Sequence, residues 1–509
     1  MARSVAGGAM VIASGVLEIL TTALFGLRSQ YALSQLASQD GYGSIAYEYE
    51  KNSYPLAMAD LLWDDSASGL AFLQQLDKQA NETLEVDFHS GFTLKGQTRK
   101  FFHFQDRLDP AYRSRMLAAM DRFTETDPLT RPADPPRKFW ERSKDDCETP
   151  VDCRNTDNLR AMRDTSVYLM AEAAENEATR LIYKEHLERY VSTLLDIGMG
   201  EWDSPTYHGH TTAAYLNLYD FAQDPEVKQL AQDALDWLFS AASLKYWRGD
   251  WNGPAKRVYG DGAAAFFWLY FGDGLPPTEV ERDWIYAITS SYRPPEDVVA
   301  ISTRRFPKPV EILRTHPHYE NWKPELYGPA FYETLYFGRT FQLGSMVGGT
   351  GGDWSGFSLR VLTATGTDTL TVEADGPQRI AQYENVLIWY GESPQITFPA
   401  GERSVQDGVT FVKTDQTWIA VRPFDQGFVL EVSEAPVEFK AFKQAVVRQA
   451  RLRHPVWFAR HRVFYQASDG KILQLDANQN RPVSVRRDRH LPEWQFFGNL
   501  SEIIRQENP

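Results

Sequence analysis

DPEVKQLAQDALDWLF, residues 224–239, decides how the first half of this chain folds. Asp224-Pro225 marks a helix start: a capping acid, then proline at the first helical position, where its missing N–H costs no hydrogen bond. Val227, Leu230, Ala231, Ala234, Leu235, Leu238 and Phe239 then recur at the spacing of one apolar stripe on a helix. The same period runs through 56–79, 111–123, 158–175, 179–199, 207–221 and 262–271, with loops rich in Pro, Gly and Asp between them. Helices of similar length joined by short loops predict an array of antiparallel helical hairpins. No strict repeat is visible, which disfavours a regular solenoid.

The period changes downstream of about Thr340. TLTVEA, NVLIWY, VTFVKT, TWIAVR and FVLEVS alternate or are β-branched, and turn residues separate them: Gly366, Asp407-Gly408, Asp425 to Gly427 and Asp469-Gly470. VFYQASDGKILQL predicts a hairpin over Asp-Gly. The expected organisation is a signal or N-terminal helical segment over 1–45, a helical domain over 46–340 and an antiparallel β-sheet domain over 341–509. The Pro-rich, mixed stretch 275–338 is expected to finish the helical domain.

A chain of 509 residues exceeds one ordinary domain of ~100–200 residues, so two to four units are expected. Hydrophobic residues at 43% and charged residues at 24% exclude a disordered or collagen-like chain. The balance of 53 Lys and Arg against 68 Asp and Glu leaves −15, a poor general surface for nucleic acid. An anionic substrate still fits if its cleft is locally basic. Cys147 and Cys153 are the only cysteines; a disulfide between them would close a short loop, and two free thiols are the alternative. Without a CxxC pair, a cysteine-type zinc site is excluded. Near the N-terminus AGGAMVIASGVLEILTTALFG resembles the apolar region of an export signal, interrupted by Glu18, and points to a secreted or periplasmic protein. A surface amphipathic helix is the alternative. No later run reaches the ~18 apolar residues of a membrane span, and none is expected.

Three polar segments carry the candidate chemistry. GEWDSPTYHGHTTAAYLNLY, residues 200–219, opens with Glu201 and Asp203 and starts a helix whose first turn holds Tyr207, His208 and His210. Asp203 and Ser204 read as capping residues, Tyr207 and His208 as functional ones. His208 and His210, two apart on a helix, do not share a face, and His316 and His318 lack a further ligand, so no metal is expected. In RNTDNLRAMRDTSVYLMAE, residues 154–172, Asn158 lies at a helix start, where a cap is the ordinary role; Arg154, Arg160 and Arg163 make a basic patch around it. YWRGDWNGPAKRVYGDG, residues 246–262, is a Gly-rich loop dense in aromatic and basic residues, including Trp251, Lys256, Arg257 and Tyr259.

Together with TLYFGRTFQLGSM and QRIAQYENVLIWYG at the entry to the strands, these segments make the chain from about residue 50 onward resemble the heparinase II/III-like and alginate-lyase-like polysaccharide lyases. The resemblance implies an (α/α) toroid followed by antiparallel sheets. It also implies a cofactor-free β-elimination on a uronic-acid polysaccharide of glucuronan or alginate type. On that pattern Asn158 neutralises the substrate carboxylate, His208 or Tyr207 is the base, and Tyr259 is the proton donor with Arg257 as carboxylate partner. Asp157 and Leu159 depart from the Glu and His that often flank the Asn, and Lys256 stands where many relatives have Gly. Lys256, Arg163, Glu201, Trp202, His210, Trp251 and Tyr336 complete the expected substrate-binding set.

The residue types suit the reaction. H5 of a uronate becomes acidic only when the neighbouring carboxylate is offset by cations and hydrogen bonds, which Asn and Arg supply without taking the proton. A neutral His suits the base near pH 7, whereas Tyr, with an ordinary pKa of ~10, needs nearby cations to act as base but is a ready acid. Two other readings stand beside this one. A glycoside hydrolase needs a carboxylate pair, with Glu201, Asp203, Asp250 and Asp261 as candidates. A non-catalytic carbohydrate-binding protein needs only the aromatic surfaces.

Overall fold

The computed structural model describes residues 23–43, 50–75, 91–126, 156–306, 308–319, 326–364, 366–453, 461–478 and 482–496. Cys147, Cys153, Arg154 and Glu18 lie outside them. The described chain mixes helix and sheet, with a large sheet in its C-terminal part. It divides into two units: one comprises residues up to 188 with 209–235 and 265–294, the other 189–208, 236–264 and 295 onward. No helix among the described residues is long and apolar enough to cross a membrane.

The first unit is helical. Its start signals work as the sequence suggests. In the helix Pro110–Thr126, Asp109 Oδ1 accepts the N–H groups of Ala111 and Tyr112 at 2.9 and 3.1 Å, with proline in the first turn. Tyr112, Met116, Ala119 and Met120 then make one buried stripe, packed with Leu94, Phe101 and Met170 from neighbouring helices and with Leu108 from the loop before it. As far as residue 75 the expected 56–79 run is two helices, Glu50–Asp64 and Ala67–Gln75, broken at Asp65, φ 59°; 76–79 lie outside the described residues. The helix Gly91–His103 has no counterpart in the sequence reading. Lys95, Gln97, Arg99 and Lys100 are all buried in it, so polar letters stand where a core stripe is sought.

The helix Pro225–Lys245 carries the stripe read from sequence. Val227, Ala231, Ala234, Leu235, Leu238 and Phe239 have no exposed surface, and Asp224 Oδ1 accepts the Glu226 N–H at 2.9 Å.

The second unit holds the sheets. Among the described residues the large one has eleven strands, in the order Glu402–Gln406, Val409–Lys413, Thr417–Phe424, Gly427–Glu434, Val386–Thr397, Thr367–Tyr383, Phe357–Leu362, Phe341–Met346, Pro329–Phe337, Val310–Pro317 and Gln495–Phe496. All neighbours are antiparallel except the last pair. Asp407 and Gly408, both at positive φ, make the tight turn expected between the first two. Alternate residues feed two cores. Val386, Ile388 and Ala420 join Phe442, Val463 and Leu473, while Leu387, Trp389 and Ile419 join Leu343, Leu359 and Leu430. Burial on both faces explains the nearly continuous apolar runs NVLIWY and TWIAV. The sheet begins earlier in the chain than the sequence reading had it, at Val310, because VEILRTHP and PAFYETLYF are strands inside the Pro-rich stretch. A four-stranded sheet, Arg451–Arg453, Arg462–Gln466, Ile472–Asp476 and Val485–Arg487, contains the hairpin over Asp469-Gly470.

Candidate active site

The SPTY turn, residues 204–207, organises a polar cluster in the second unit. Ser204 Oγ accepts the Thr206 and Tyr207 N–H groups at 3.3 and 3.1 Å, capping the helix that begins at His208. The Ser204 hydroxyl also donates to the Arg257 carbonyl at 3.2 Å. Thr206 Oγ1 lies 3.1 Å from the same carbonyl and accepts the Tyr259 N–H at 3.0 Å. Two hydroxyls thus pin the 257–259 loop against the turn. Lys256 N–H to the Trp202 carbonyl, 3.2 Å, and Ala263 N–H to the Pro205 carbonyl, 2.8 Å, extend the join. Gly200 is required: a Cβ there would meet the Tyr319 carbonyl oxygen at 2.2 Å. Asp203 and Arg257 both sit at φ 53°, a left-handed conformation costing a non-glycine residue about 1 kcal/mol or more. Such strain concentrates where geometry serves function.

These joins gather a guanidinium and three phenols. The Arg257 Cζ lies 4.1 Å from the Tyr207 ring centre, 5.7 Å from Tyr259 and 6.0 Å from Tyr319. The Tyr207 and Tyr259 rings meet edge-to-face at 6.4 Å. Arg257 Nη1 pairs with Glu201 Oε1 at 2.5 Å, and the Tyr319 hydroxyl donates to the same oxygen at 3.2 Å. Burial would lower Arg257, but Glu201 and the tyrosines outweigh it and hold the guanidinium above its ordinary range. Lys256 Nζ sits over Tyr319 at 4.3 Å and Phe331 at 5.1 Å. Tyr259 is 63% exposed, the most open side chain of the cluster.

A buried ion network adjoins it in the chain. Asp203 and Glu333 both pair with Arg314 and with Lys245; the Lys245 distances are 3.3 and 2.5 Å. His316 Nε2 lies 2.9 Å from Glu333 Oε2, and its ring stacks on Trp202 at 4.6 Å. Glu333 is held well below the carboxylate range: burial opposes ionisation, but Arg314, Lys245 and His316 prevail. Burial and Arg314 push His316 down. Asp203, His316 and Glu333 bring ligand atoms within 4.8 Å of one another. Arg314 and Lys245 already balance both carboxylates, so an added cation would face two like charges.

The other expected residues are placed as follows. His208 is fully buried; its Nε2 lies 2.9 Å from the Leu238 carbonyl, and burial pushes its pKa down. Trp251 donates to the Asp203 carbonyl at 2.8 Å and lies 5.6 Å from the His208 ring. Tyr336 is away from the cluster's ring contacts: it packs on Phe341 at 5.7 Å, its hydroxyl pushed up by burial and by Glu384. Asn158, Arg163 and His210 belong to the first unit. Asn158 is buried, with the Thr156 hydroxyl donating to its Oδ1 at 2.5 Å. Arg163, also buried, lies 5.9 Å from the Phe123 ring. His210 Nδ1 is 2.5 Å from Asp283 Oδ2, which also receives Lys95 at 2.6 Å. Tyr319, Phe331, Arg314, Glu333 and Lys245 were missed. Around Tyr319 the sequence singles out only His316 and His318, and the Arg314–Glu333 pair is visible only once the two strands are set in register. No protein-family model matches this chain, and no curated protein does.

Proposed function

We propose that the chain is a polysaccharide lyase of the heparinase II/III-like kind, its helices forming an (α/α) toroid and its C-terminal strands an antiparallel sandwich. The single observation that carries the reading is the Tyr207–Arg257–Tyr259 cluster. It pairs two phenols with one guanidinium, the groups a β-elimination needs for proton removal, charge offset and proton return. The substrate carboxylate lies against Arg257 and Lys256, which oppose the charge that develops as H5 leaves. Tyr207, closest to the guanidinium, takes H5 as the phenolate. The C5–H electron pair becomes the C4–C5 double bond, the C4–O4 bond breaks, and the exposed Tyr259 gives its proton to O4. Tyr207 is preferred to His208 as base because the His208 ring is enclosed and bonded to a backbone carbonyl. Asn158 keeps its carboxylate-neutralising role on the resemblance alone. Hydrolysis is less well supported: Glu201 is held by Arg257 and Tyr319, and Asp203 by Arg314 and Lys245. Export suits a polymeric substrate and is part of the same proposal.

The test is a panel of alginate, glucuronan and glycosaminoglycans, read for the ultraviolet absorbance of an unsaturated uronate. Absorbance that grows with time supports elimination. New reducing ends without absorbance would turn the assignment to a hydrolase. Binding with neither would leave a carbohydrate-binding protein.

A further inference from the structure

The C-terminal segment inverts the charge of the protein. Residues 439–490 hold twelve Lys and Arg against three Asp, a surplus of nine positive charges in a chain of −15. The three acids are engaged locally. Asp476 pairs with Arg462 at 3.0 Å, Asp469 pairs with Lys471, and Asp488 accepts from the Tyr383 hydroxyl at 3.0 Å. Exposed Arg448, Arg451, Arg453, Arg486 and Arg489 form no ion pair among the described residues.

The pleat of the four-stranded sheet sorts these side chains. Val463, Tyr465, Leu473, Leu475 and Val485 turn inward to the core. On the opposite face Arg453 stands opposite Phe464, Phe464 opposite Gln474, and Gln474 opposite Arg486. The result is one row across four strands with an arginine at each end. At ~4.8 Å per strand step the ends are ~14 Å apart, and Arg451, two residues from Arg453, adds a third guanidinium ~7 Å along its strand. A small anion cannot bridge such a row; an extended chain with regularly spaced carboxylates can. Arginine forks bind carboxylates in pairs, Phe464 backs the Arg453 guanidinium, whose Cζ lies 5.8 Å from its ring centre, and Gln474 offers donors and an acceptor to hydroxyls.

We propose that this outer face is an accessory site that holds an acidic polysaccharide chain, sharing no residue with the Tyr207–Arg257–Tyr259 cluster. The identity of the polymer rests on the lyase reading; the existence of the site does not. Nucleic acid fits the face less well. A duplex is read by an element that enters a groove, and single strands are held on several aromatic platforms, whereas this row is the face of a sheet and carries one aromatic ring.

The experiment uses full-length Tyr259→Phe protein, so that bound polymer is not consumed. Its affinity for alginate and polyglucuronate is measured beside a neutral glucan, duplex and single-stranded DNA and phosphatidylserine vesicles, across a salt series. The Arg453→Gln/Arg486→Gln variant should bind the acidic polymers about 10-fold more weakly, with a shallower salt dependence, because two charge-assisted contacts are lost. Its melting temperature should match the parent, since both side chains are exposed. In an otherwise native background the same pair should raise KM for long polymer while kcat, and turnover of short oligosaccharides, stay unchanged. Arg453→Lys/Arg486→Lys, which keeps the charge, should recover part of the affinity. Undiminished polymer binding by the glutamine variant would overturn the proposal. So would DNA or vesicle binding that is tighter than polymer binding and lost with the same substitutions. If no polysaccharide is turned over by the native protein, the lyase reading fails while the binding arm still reads this face.

Discussion

Each unit buries a charge network around a histidine, and the two are balanced differently. In the second unit two carboxylates, Asp203 and Glu333, meet two cations, Lys245 and Arg314, and His316 beside them is pushed down by burial and Arg314. In the first unit Asp283 pairs with Lys95 and His210, while Glu281, whose carboxylate accepts the Asp283 N–H at 2.9 Å, has no such complement among the described residues and is pushed up by burial and by Asp283. Asp283 itself is held low: burial opposes ionisation, and Lys95 and His210 outweigh it. A balanced network resists any change of protonation. An unbalanced one keeps a carboxyl in reserve that can ionise when its neighbour is lost. The balanced network adjoins the proposed chemistry in sequence, at Asp203 beside Glu201 and Trp202.

The largest effect should come from unbalancing the second network. Glu333→Gln leaves Arg314 and Lys245 sharing one carboxylate, and removing one partner of a buried pair typically costs about 3–5 kcal/mol. Asp283→Asn should cost clearly less, because Glu281 is freed to ionise beside Lys95. Urea unfolding of the two variants checks the order; an equal or larger loss for Asp283→Asn breaks the comparison. Glu333→Gln should also lower turnover, since Asp203 and His316 border the cluster, whereas the loss in Asp283→Asn should be confined to stability.

The adjoining residues sharpen the same contrast between a working surface and a buried support. Tyr207→Phe and Tyr259→Phe should each lower kcat about 10²-fold or more, as for loss of an acid–base group, with little change in stability. His208→Gln should do the reverse, keeping turnover within a few-fold and losing stability, because its ring fills the core. A dead His208→Gln with an active Tyr207→Phe would return the base to the histidine.

The opposite signs of the two networks extend to pH. His208 and His316 are pushed down in the folded state, so the stability they support is present above the unfolded value of about 6.5 and is lost as pH falls toward their folded values. Glu281 is raised, so its contribution is full below the unfolded value of about 4.3 and is lost as pH rises toward its folded value. Unfolding free energies between pH 5 and 8 should therefore fall at the acid side through the second unit and at the alkaline side through the first. His316→Gln should flatten the acid limb and Glu281→Gln the alkaline one. If either substitution flattens the other limb, the assignment of signs is wrong.

What the sequence disclosed follows from which interactions are local. The Asp224-Pro225 start, the stripe to Phe239, the turn at Asp407-Gly408 and the hydroxyl cap at Ser204 depend on neighbours within a few residues, and each is visible in the letters. The helix Gly91–His103 was hidden because Lys95 and Arg99 are buried by partners far along the chain, Asp283 and Asp220. The strands Val310–Pro317 and Pro329–Phe337 were hidden by flanking prolines. The Glu201–Arg257 pair could be suspected as a carboxylate near a basic loop, but Tyr319 and the Arg314–Glu333 pair required a strand register that no local pattern supplies.

The smallest effect on stability should be among the more informative for the site. Thr206 Oγ1 reaches the Arg257 and Gly260 carbonyls at 3.1 and 3.2 Å and accepts the Tyr259 N–H at 3.0 Å, so one hydroxyl sets where Arg257 and Tyr259 stand relative to Tyr207. Thr206→Val keeps the shape and deletes the bonds. Because the loop is part-exposed and water can replace the lost partners, the stability change should be about 1 kcal/mol. Turnover should suffer more, because a displacement of about 1 Å in a reacting group can cost about 10²-fold. Thr206→Ser, which restores the hydroxyl, should recover most of it. The balanced network, built from groups that Thr206 does not touch, should be unmoved, so the acid limb of the stability profile should overlay that of the parent. Loss of turnover without rescue by serine would mean that the hydroxyl does not position the loop. A changed acid limb would mean that the phenol cluster and the buried ions act as one body rather than as a surface and its support.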